Sequence, residues 1–129
     1  MAKAGSGDPG FVKLIGLEET RREAGLSASR LEVHADLLNP HGTLHGGVMY
    51  SMADNGMGAA LYTLLEEAES CATIEITMAY IAAVTAGTLT CETRVINKGR
   101  RVALLESEIR NGERLVAKAM GSFAIFPQR

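Results

Sequence analysis

The segment from Val48 to Leu65 limits how this chain can fold more than any other, because it is a predicted helix with almost no polar side. Apolar or small residues recur along it at the helical period, at Met49, Met52, Ala53, Gly56, Ala60 and Leu64. The positions between them are also mostly apolar or small, and a helix of that composition is buried in a protein interior. We therefore predict one central helix around which the remaining chain is wrapped.

Asp54 is the single charged residue of this predicted helix. A carboxylate is rarely buried without a partner, because removing its charge from water is costly. The sequence therefore predicts that Asp54 is catalytic. The alternative is a structural acid that pairs with an arginine or a hydroxyl group inside the core.

Regular alternation of apolar and polar residues predicts strands on both sides of the helix. Before the helix, 30–37 alternates in this way, whereas the charged segment 17–24 fits no single pattern. A short helix is expected at 11–15, opened by Asp8-Pro9. After the central helix, four strands are predicted, at 73–80, 89–95, 103–109 and 115–126.

Asn111-Gly112 separates the last two predicted strands and favours a tight hairpin, since both residues tolerate positive φ. One apolar helix and roughly five or six mostly antiparallel strands pack best when the sheet curls around the helix. We therefore predict an α+β fold in one domain, 1–129, with a loose tail at 1–8. A helix this apolar would leave uncovered edges in a single small chain, so two-fold self-association through the sheet is also expected.

Composition argues against several classes of function. A net charge of −2 gives no electrostatic reason to expect nucleic acid or an anionic membrane as a partner. The polar residues Ser51 and Asn55 favour burial of the central helix in protein over a membrane span. Cys71 and Cys91 form no CxxC pair and lie in apolar segments, so they are interpreted as small buried hydrophobes. These cysteines and the lack of a signal-peptide core predict a cytoplasmic protein.

Two motif-like spacings do not predict a cofactor or a metal. The tail contains GxGxxG, but no strand precedes it as a dinucleotide site requires. His41 and His45 are four residues apart, but Pro40 lies next to them and breaks the helix that would present both to zinc. We therefore expect neither a metal nor a cofactor.

The stretch Asn-Pro-His-Gly-Thr-Leu-His-Gly-Gly begins at Asn39 and ends at Gly47, and Asp54 follows seven residues later. This pattern resembles the hotdog-fold acyl-CoA thioesterases, in particular the phenylacetic-acid-degradation (PaaI-type) group. The likeness extends over about 11–126. It implies a curled antiparallel sheet around one helix, and a dimer with two shared active sites that often pairs into a tetramer.

The resemblance also implies hydrolysis of a CoA thioester, with CoA as part of the substrate. Two other functions remain open at this stage. One is a different hotdog reaction, such as dehydration of a 3-hydroxyacyl thioester. The other is a non-catalytic module that binds acyl-CoA.

Thioester hydrolysis needs a polarised carbonyl and an activated water or carboxylate nucleophile. The free N–H of Gly46 at the start of the helix is suited to an oxyanion, and Gly46 matches the family's oxyanion donor. Asn39 would donate to the same oxygen or hold the water; the alternative is that it only shapes its loop. Asp54 would act as base or nucleophile. Because Gly46 and Asp54 are roughly 12 Å apart along one helix, the partner subunit is expected to supply the Asp.

Two further residues are predicted to support the chemistry. Thr73 lies where the family often has a hydroxyl residue that orients the water; the alternative is an ordinary strand threonine. His45 would support the loop before the helix or contact the thioester.

The basic turn Lys98-Gly-Arg-Arg101 is either a solvated turn or a site for the phosphates of CoA. The family's CoA contacts fall at this turn and around 80–85. Predicted CoA contacts are therefore Tyr80, Ala82, Ala83, Thr85, Asn97, Lys98, Gly99, Arg100 and Arg101.

Several residues inside the central helix are assigned to the acyl pocket or to packing. The predicted pocket walls are Met49, Met52, Met57 and Leu61, and methionine adapts to varied acyl shapes. Gly56 and Gly58 each cost about 1 kcal/mol relative to alanine in a helix interior. Either the close approach of a partner or acyl chain, or tight packing of the helix on the sheet, would explain these glycines.

Overall fold

A computed structural model of the chain describes residues 10–128, so the predicted tail and its Asp8-Pro9 helix start lie outside the described residues. Within this range the secondary structure consists of two helices, a single 3-10 turn and six strands. In chain order these are α1 (Gly10–Ile15), β1 (Glu18–Glu23), β2 (Leu26–Glu32), a 3-10 turn (Ala35–Leu37), α2 (Gly46–Tyr62), β3 (Glu69–Tyr80), β4 (Thr88–Lys98), β5 (Val102–Asn111) and β6 (Arg114–Pro127).

The six strands form one sheet in the order β1-β2-β4-β5-β6-β3, and every neighbouring pair is antiparallel. Helix α2 contacts all six strands. A sheet can touch one helix with all of its strands only by curling around it, so the predicted α+β architecture is confirmed. Within residues 10–128 there is no helix with the length and apolar character needed to cross a membrane.

The core consists of the residues of α2 and the sheet residues that face them. One cluster surrounds the first half of α2 and contains Met49 and Met52 with Leu31, Leu89, Cys91 and Ile109. The other surrounds the second half and contains Met57, Ala60 and Leu61 with Leu105, Ala119, Phe123 and Ile125. The predicted burial of the helix is therefore confirmed for most of its circumference.

The two segments before α2 differ from their predicted structure. The ambiguous segment 17–24 contains β1, an edge strand whose charged side chains face solvent and form ion pairs such as Arg21–Glu23. The predicted strand 30–37 is confirmed only for 30–32 and is wrong beyond them, because β2 ends at Glu32, where its pairing with β4 ends, and a 3-10 turn follows. Leu37 lies in that turn and is buried there. Its apolar side chain, which continues the alternation of the strand, is therefore explained by packing of the 3-10 turn.

The hairpin between β5 and β6 is confirmed, but its loop is shifted by one residue. Asn111 is paired with Arg114, so the two loop residues are Gly112 and Glu113. Gly112 has a φ of 64°, which explains the need for glycine there. The Asn111 side chain instead donates to the carbonyl oxygen of Ala86 at 2.9 Å.

Gly56 lets α2 lie directly against the sheet. A Cβ atom at this position would lie 2.7 Å from Thr93 Oγ1, which is hydrogen-bonded to Ser107 Oγ at 2.7 Å. The Ser27 hydroxyl donates to the Gly56 carbonyl at 2.7 Å, so the helix is also bonded to β2 here. For Gly56 the tight-packing alternative is therefore confirmed. A Cβ atom on Gly58 would meet nothing nearer than 3.9 Å.

Cys91 lies in the same buried region, where its Sγ is 3.7 Å from Thr93 Oγ1. Burial raises the pKa of the Cys91 thiol to about 11, so the thiol stays protonated at neutral pH. The interpretation of Cys91 as a buried hydrophobe is confirmed. Cys71 is only half-buried.

We predict that Gly56→Ala lowers the free energy of unfolding by about 1–3 kcal/mol, because its methyl group overlaps Thr93 Oγ1 in a closed core. In a Thr93→Ala background the obstruction is absent, so the same substitution should cost less. Chemical denaturation of the four proteins of this double-mutant cycle, at one protein concentration, measures the coupling. An equal cost of Gly56→Ala in both backgrounds would contradict the explanation.

Candidate active site

The start of α2 presents a backbone N–H group, that of Gly46, to which residues 10–128 offer no acceptor. His45 precedes the helix in an extended conformation, and its Nδ1 accepts a hydrogen bond from the Gly47 N–H at 2.8 Å. Within residues 10–128, the Gly46 N–H has no hydrogen-bond acceptor. This N–H therefore remains available to a ligand at the positive end of the helix.

Gly46 opens onto a cleft of about 290 Å³. The Tyr80 hydroxyl donates to the Gly46 carbonyl oxygen at 2.8 Å, and a Cβ atom on Gly46 would lie 3.1 Å from the tyrosine ring. Glycine at this position thus allows the close approach of Tyr80. The remaining walls of the cleft are apolar and are formed by Leu44, Met49, Ile81, Ala82, Ala83 and Val84.

Asn39 organises the loop that leads to α2. Its amide oxygen accepts from the His41 and Thr43 N–H groups at 2.9 and 3.2 Å, and its Nδ2 donates to Thr43 Oγ1 at 2.8 Å. These are the bonds expected from the alternative role of Asn39, in which it shapes its loop. An amide nitrogen carries two hydrogens, so Nδ2 keeps one for the predicted contact with a carbonyl or a water.

Asp54 and Thr73 are brought together by the fold. The Thr73 hydroxyl donates to Asp54 Oδ1 at 2.6 Å, whereas Oδ2 accepts no hydrogen bond from residues 10–128. Both residues line a groove of about 580 Å³ that runs along α2 between the two edge strands, β1 and β3. Helix α1 also contributes to the wall of this groove, through Val12.

The prediction that Asp54 is buried is wrong for the single chain, since the residue is half-exposed. The physical reason is the gap between β1 and β3, which leaves this side of α2 uncovered. An exposed carboxylate with a hydroxyl donor on one oxygen can act on a water or a substrate in the groove. The presence of Asp54 in an apolar helix is thus explained by the position of its side chain at the open groove, and not by burial in the core.

The groove and the cleft have no lining residue in common. Gly46 and Asp54 are separated by eight residues of α2, or roughly 12 Å at the rise of an α-helix. Within one chain the Gly46 N–H therefore lies at the cleft and the Asp54 carboxylate in the separate groove.

The residues predicted to contact CoA fall into two groups. Tyr80, Ala82 and Ala83 line the Gly46 cleft, and Thr85 is exposed just beyond it. The turn after Lys98 lies at the other end of the sheet. Lys98 pairs with Ala103, and the same row of paired residues continues across β6 to Thr73, so the turn is level with Thr73 and not with Tyr80. That second group comprises Asn97, Lys98, Gly99, Arg100 and Arg101.

Two features of the groove and the cleft differ from what the sequence indicates. Of the predicted acyl-pocket walls, only Met49 lines a cleft; Met52, Met57 and Leu61 are fully buried core residues and line neither. The groove walls include an ion pair that the sequence did not reveal, in which the Arg22 Nε and Nη2 donate to the Glu19 carboxylate at 2.6 and 2.8 Å. No pattern pointed to this pair, because β1 was not recognised as a strand.

Among residues 10–128, no three His, Cys, Asp or Glu side chains come close enough together to hold a metal ion.

Known proteins share this arrangement of helix and sheet. The chain is 36% identical to the conserved protein PA5202 of Pseudomonas aeruginosa, with a TM-score of 0.85 over 90% of this chain and 93% of that one. It is 30% identical to a variant of the phenylacetic acid degradation protein PaaI of Thermus thermophilus, with a TM-score of 0.83 over 91% and 98% of the two chains.

The 1,4-dihydroxy-2-naphthoyl-CoA hydrolase of Listeria monocytogenes is 29% identical over 78% of this chain and 81% of its own length. The family model named thioesterase superfamily matches residues 41–118, which contain the start of α2, Asp54 and Thr73. The predicted hotdog fold and the resemblance to hotdog thioesterases are thereby confirmed, and the chain belongs to the thioesterase superfamily.

Proposed function

We propose that this protein is an acyl-CoA thioesterase that releases a free acid and CoA from a CoA thioester. The observation that carries the proposal is the Asp54–Thr73 pair, whose second carboxylate oxygen is open to a groove. The Gly46 N–H at the start of the same helix, which finds no acceptor among residues 10–128, complements it as an oxyanion donor. The name of the Listeria relative, a CoA-thioester hydrolase, supports this substrate class.

The geometry supports the following reaction. The thioester carbonyl oxygen accepts a hydrogen bond from the Gly46 N–H, and Asn39 has one amide hydrogen left for the same oxygen or for the water. Asp54 Oδ2 removes a proton from the water that attacks the carbonyl carbon, while Thr73 holds Oδ1. The tetrahedral intermediate then breaks its C–S bond, and the CoA thiolate leaves and takes up the proton that Asp54 removed from the water, which restores the carboxylate. Direct attack by Asp54, followed by hydrolysis of the anhydride, uses the same atoms.

We further propose that the complete site forms in a homodimer that pairs through β3. This strand is the last of the sheet, and its unpaired edge is accompanied by exposed apolar side chains: Ile74, Tyr80 and Ile81 are 53%, 51% and 54% exposed. A long apolar edge of this kind is a ready partner for a second copy. A pair of such dimers would form the expected tetramer.

Antiparallel pairing of two β3 strands would also bring the cleft of one chain and the groove of the other together. Thr73 lies near the middle of β3 and Tyr80 at its end, roughly 23 Å apart along the strand. A two-fold axis between them places Thr73 of one chain beside the partner subunit's Tyr80. Asp54 then approaches the partner subunit's Gly46, and the basic turn at Lys98–Arg101 approaches the other predicted CoA contacts.

We also propose that the protein is cytoplasmic. Cys71 and Cys91 form no disulfide bond, which is consistent with the reducing environment of the cytoplasm. CoA is used as part of the substrate, and the proposed chemistry needs no further cofactor.

We predict that Asp54→Asn lowers kcat for a CoA thioester about 10²- to 10⁴-fold, because the amide cannot accept the proton of the water. Asp36→Asn is the matched control, since Asp36 is exposed in the 3-10 turn. Release of the CoA thiol from a panel of aryl and aliphatic thioesters measures both variants. Nearly full kcat in Asp54→Asn would refute the mechanism, and binding of the whole panel without turnover by the wild type would favour a non-catalytic module.

The role of the Gly46 N–H is tested by two variants that add the same Cβ atom. Gly46→Pro deletes the N–H at the first helical position, where proline is tolerated, and the extended His45 suits a residue before proline. Gly46→Ala keeps the N–H. We predict about 10²- to 10³-fold lower kcat for Gly46→Pro than for Gly46→Ala. Equal kcat in the two variants would show that this N–H does not bind the oxyanion.

Shared sites predict that two inactive variants restore each other. A heterodimer of Gly46→Pro and Asp54→Asn chains has both defects in one site and none in the other, so it should have about half of the wild-type activity. Differently tagged chains can be co-expressed and the heterodimer isolated by two affinity steps. A heterodimer as inactive as its two parents would place each complete site within one chain.

A further inference from the structure

The peptide unit between Gly46 and Gly47 is held at both of its polar ends by side chains. Its carbonyl oxygen accepts from the Tyr80 hydroxyl at 2.8 Å, and its N–H donates to His45 Nδ1 at 2.8 Å. These two bonds come from opposite directions in the sequence, one from the residue before the helix and one from the end of β3. The first peptide unit inside the helix therefore has no free polar group.

Two consecutive glycines make such restraint necessary. Glycine populates a wider range of φ and ψ than any other residue, so an unrestrained pair would spread the direction of the adjacent Gly46 N–H. An oxyanion donor is effective only when it already points to the place where charge develops. The bonds to Tyr80 and His45 set ψ of Gly46 and so limit where its own N–H can point.

Tyr80 is well placed to hold this carbonyl. Its ring lies so close to Gly46 that an added Cβ atom would be 3.1 Å from three of its atoms, Cε1, Cζ and Oη. A carbonyl oxygen can only accept, so the Tyr80 hydroxyl is the donor. Burial and, to a lesser extent, nearby Tyr50 raise the pKa of Tyr80 above its usual value, so the hydroxyl keeps its proton at neutral pH.

We propose that Tyr80 is a positioning residue for thioester hydrolysis, which acts by holding the Gly46 carbonyl so that the Gly46 N–H points at the thioester oxygen. The inference rests on the proposed function and changes the role given to Tyr80 by the sequence, which was contact with CoA. The two roles have different kinetic consequences. A positioning residue affects the transition state, whereas a contact with CoA affects binding of the substrate.

Tyr80→Phe tests this role, because it keeps the ring and removes only the hydroxyl. We expect kcat to fall about 2- to 10-fold with little change in KM, as for the loss of one hydrogen bond. Tyr50→Phe is the matched control, because it removes the hydroxyl of a neighbouring ring. The Tyr50 hydroxyl has no hydrogen-bond partner among residues 10–128, so this variant should change neither kcat nor KM. A higher KM at unchanged kcat in Tyr80→Phe would overturn the proposal in favour of CoA contact.

The pathway of the effect is tested in the Gly46→Pro background, which has no N–H left to position. Tyr80→Phe should cause no additional loss of kcat there, whereas a general structural role would lower kcat again. The unfolding transitions of Tyr80→Phe and Tyr50→Phe are compared to show that both remain folded.

A second readout does not depend on turnover. The amide signals of Gly46 and Gly47 in ¹⁵N-labelled protein should shift in Tyr80→Phe and stay in place in Tyr50→Phe. If wild type hydrolyses no thioester, the proposed function fails, and unshifted glycine signals in Tyr80→Phe would separately overturn the positioning role.

Discussion

Burial of α2 is the constraint on which the rest of the structure depends. The helix is apolar or small around most of its circumference, so it must be covered by as much sheet as the chain can supply. Six antiparallel strands curl around it and contact it with every strand. Because an open sheet has two edges, the cover is incomplete along the gap between β1 and β3. This gap contains the groove, and the one charged residue of the helix lines it.

The glycines of α2 serve two different requirements. Gly56 lies over Thr93, where any side chain would enter a closed layer of hydroxyl groups between the helix and the sheet. Gly46 lies at the start of the helix, where a Cβ atom would lie 3.1 Å from the Tyr80 ring and would require the ring to shift. The first glycine holds the helix against its sheet, and the second leaves a backbone N–H open to a ligand. Glycine in a helix interior lowers stability by about 1 kcal/mol relative to alanine, and for Gly56 the close packing of the helix on the sheet compensates for this loss.

The separation of Gly46 from Asp54 also follows from the burial of α2. A rigid helix of this length keeps Gly46 and Asp54 roughly 12 Å apart, and neither can move toward the other without unfolding it. Thr73, which donates to Asp54, lies near the middle of the unpaired strand β3, and Tyr80, which donates to Gly46, lies at its end. A two-fold partner on that strand would bring the Gly46 end of one chain to Asp54 of the other. The proposed dimer thus explains both the exposure of apolar side chains along β3 and the separation of Gly46 from Asp54.

Local patterns were sufficient for much of the fold and for part of the candidate site. The burial of α2, its start at Gly46, the strands after it and the β5–β6 hairpin depend on residues close together in the chain, and these were predicted correctly. Strand β1 was missed because an exposed edge strand needs few apolar residues, and 30–37 was misread because a 3-10 turn buries Leu37 at a strand-like spacing. The walls of the clefts were mostly misassigned, since a buried methionine has the same spacing whether it faces a ligand or the core.

The sequence by itself determined an apolar central helix, a glycine-rich start to that helix and one acid that required an explanation, because each of these is a property of consecutive residues. Only the tertiary structure decided that Asp54 faces an open groove, that Thr73 donates to it and that Tyr80 holds the Gly46 carbonyl. Those bonds join residues 19 and 34 positions apart. Their partners are chosen by the order and register of the strands, which no local pattern specifies.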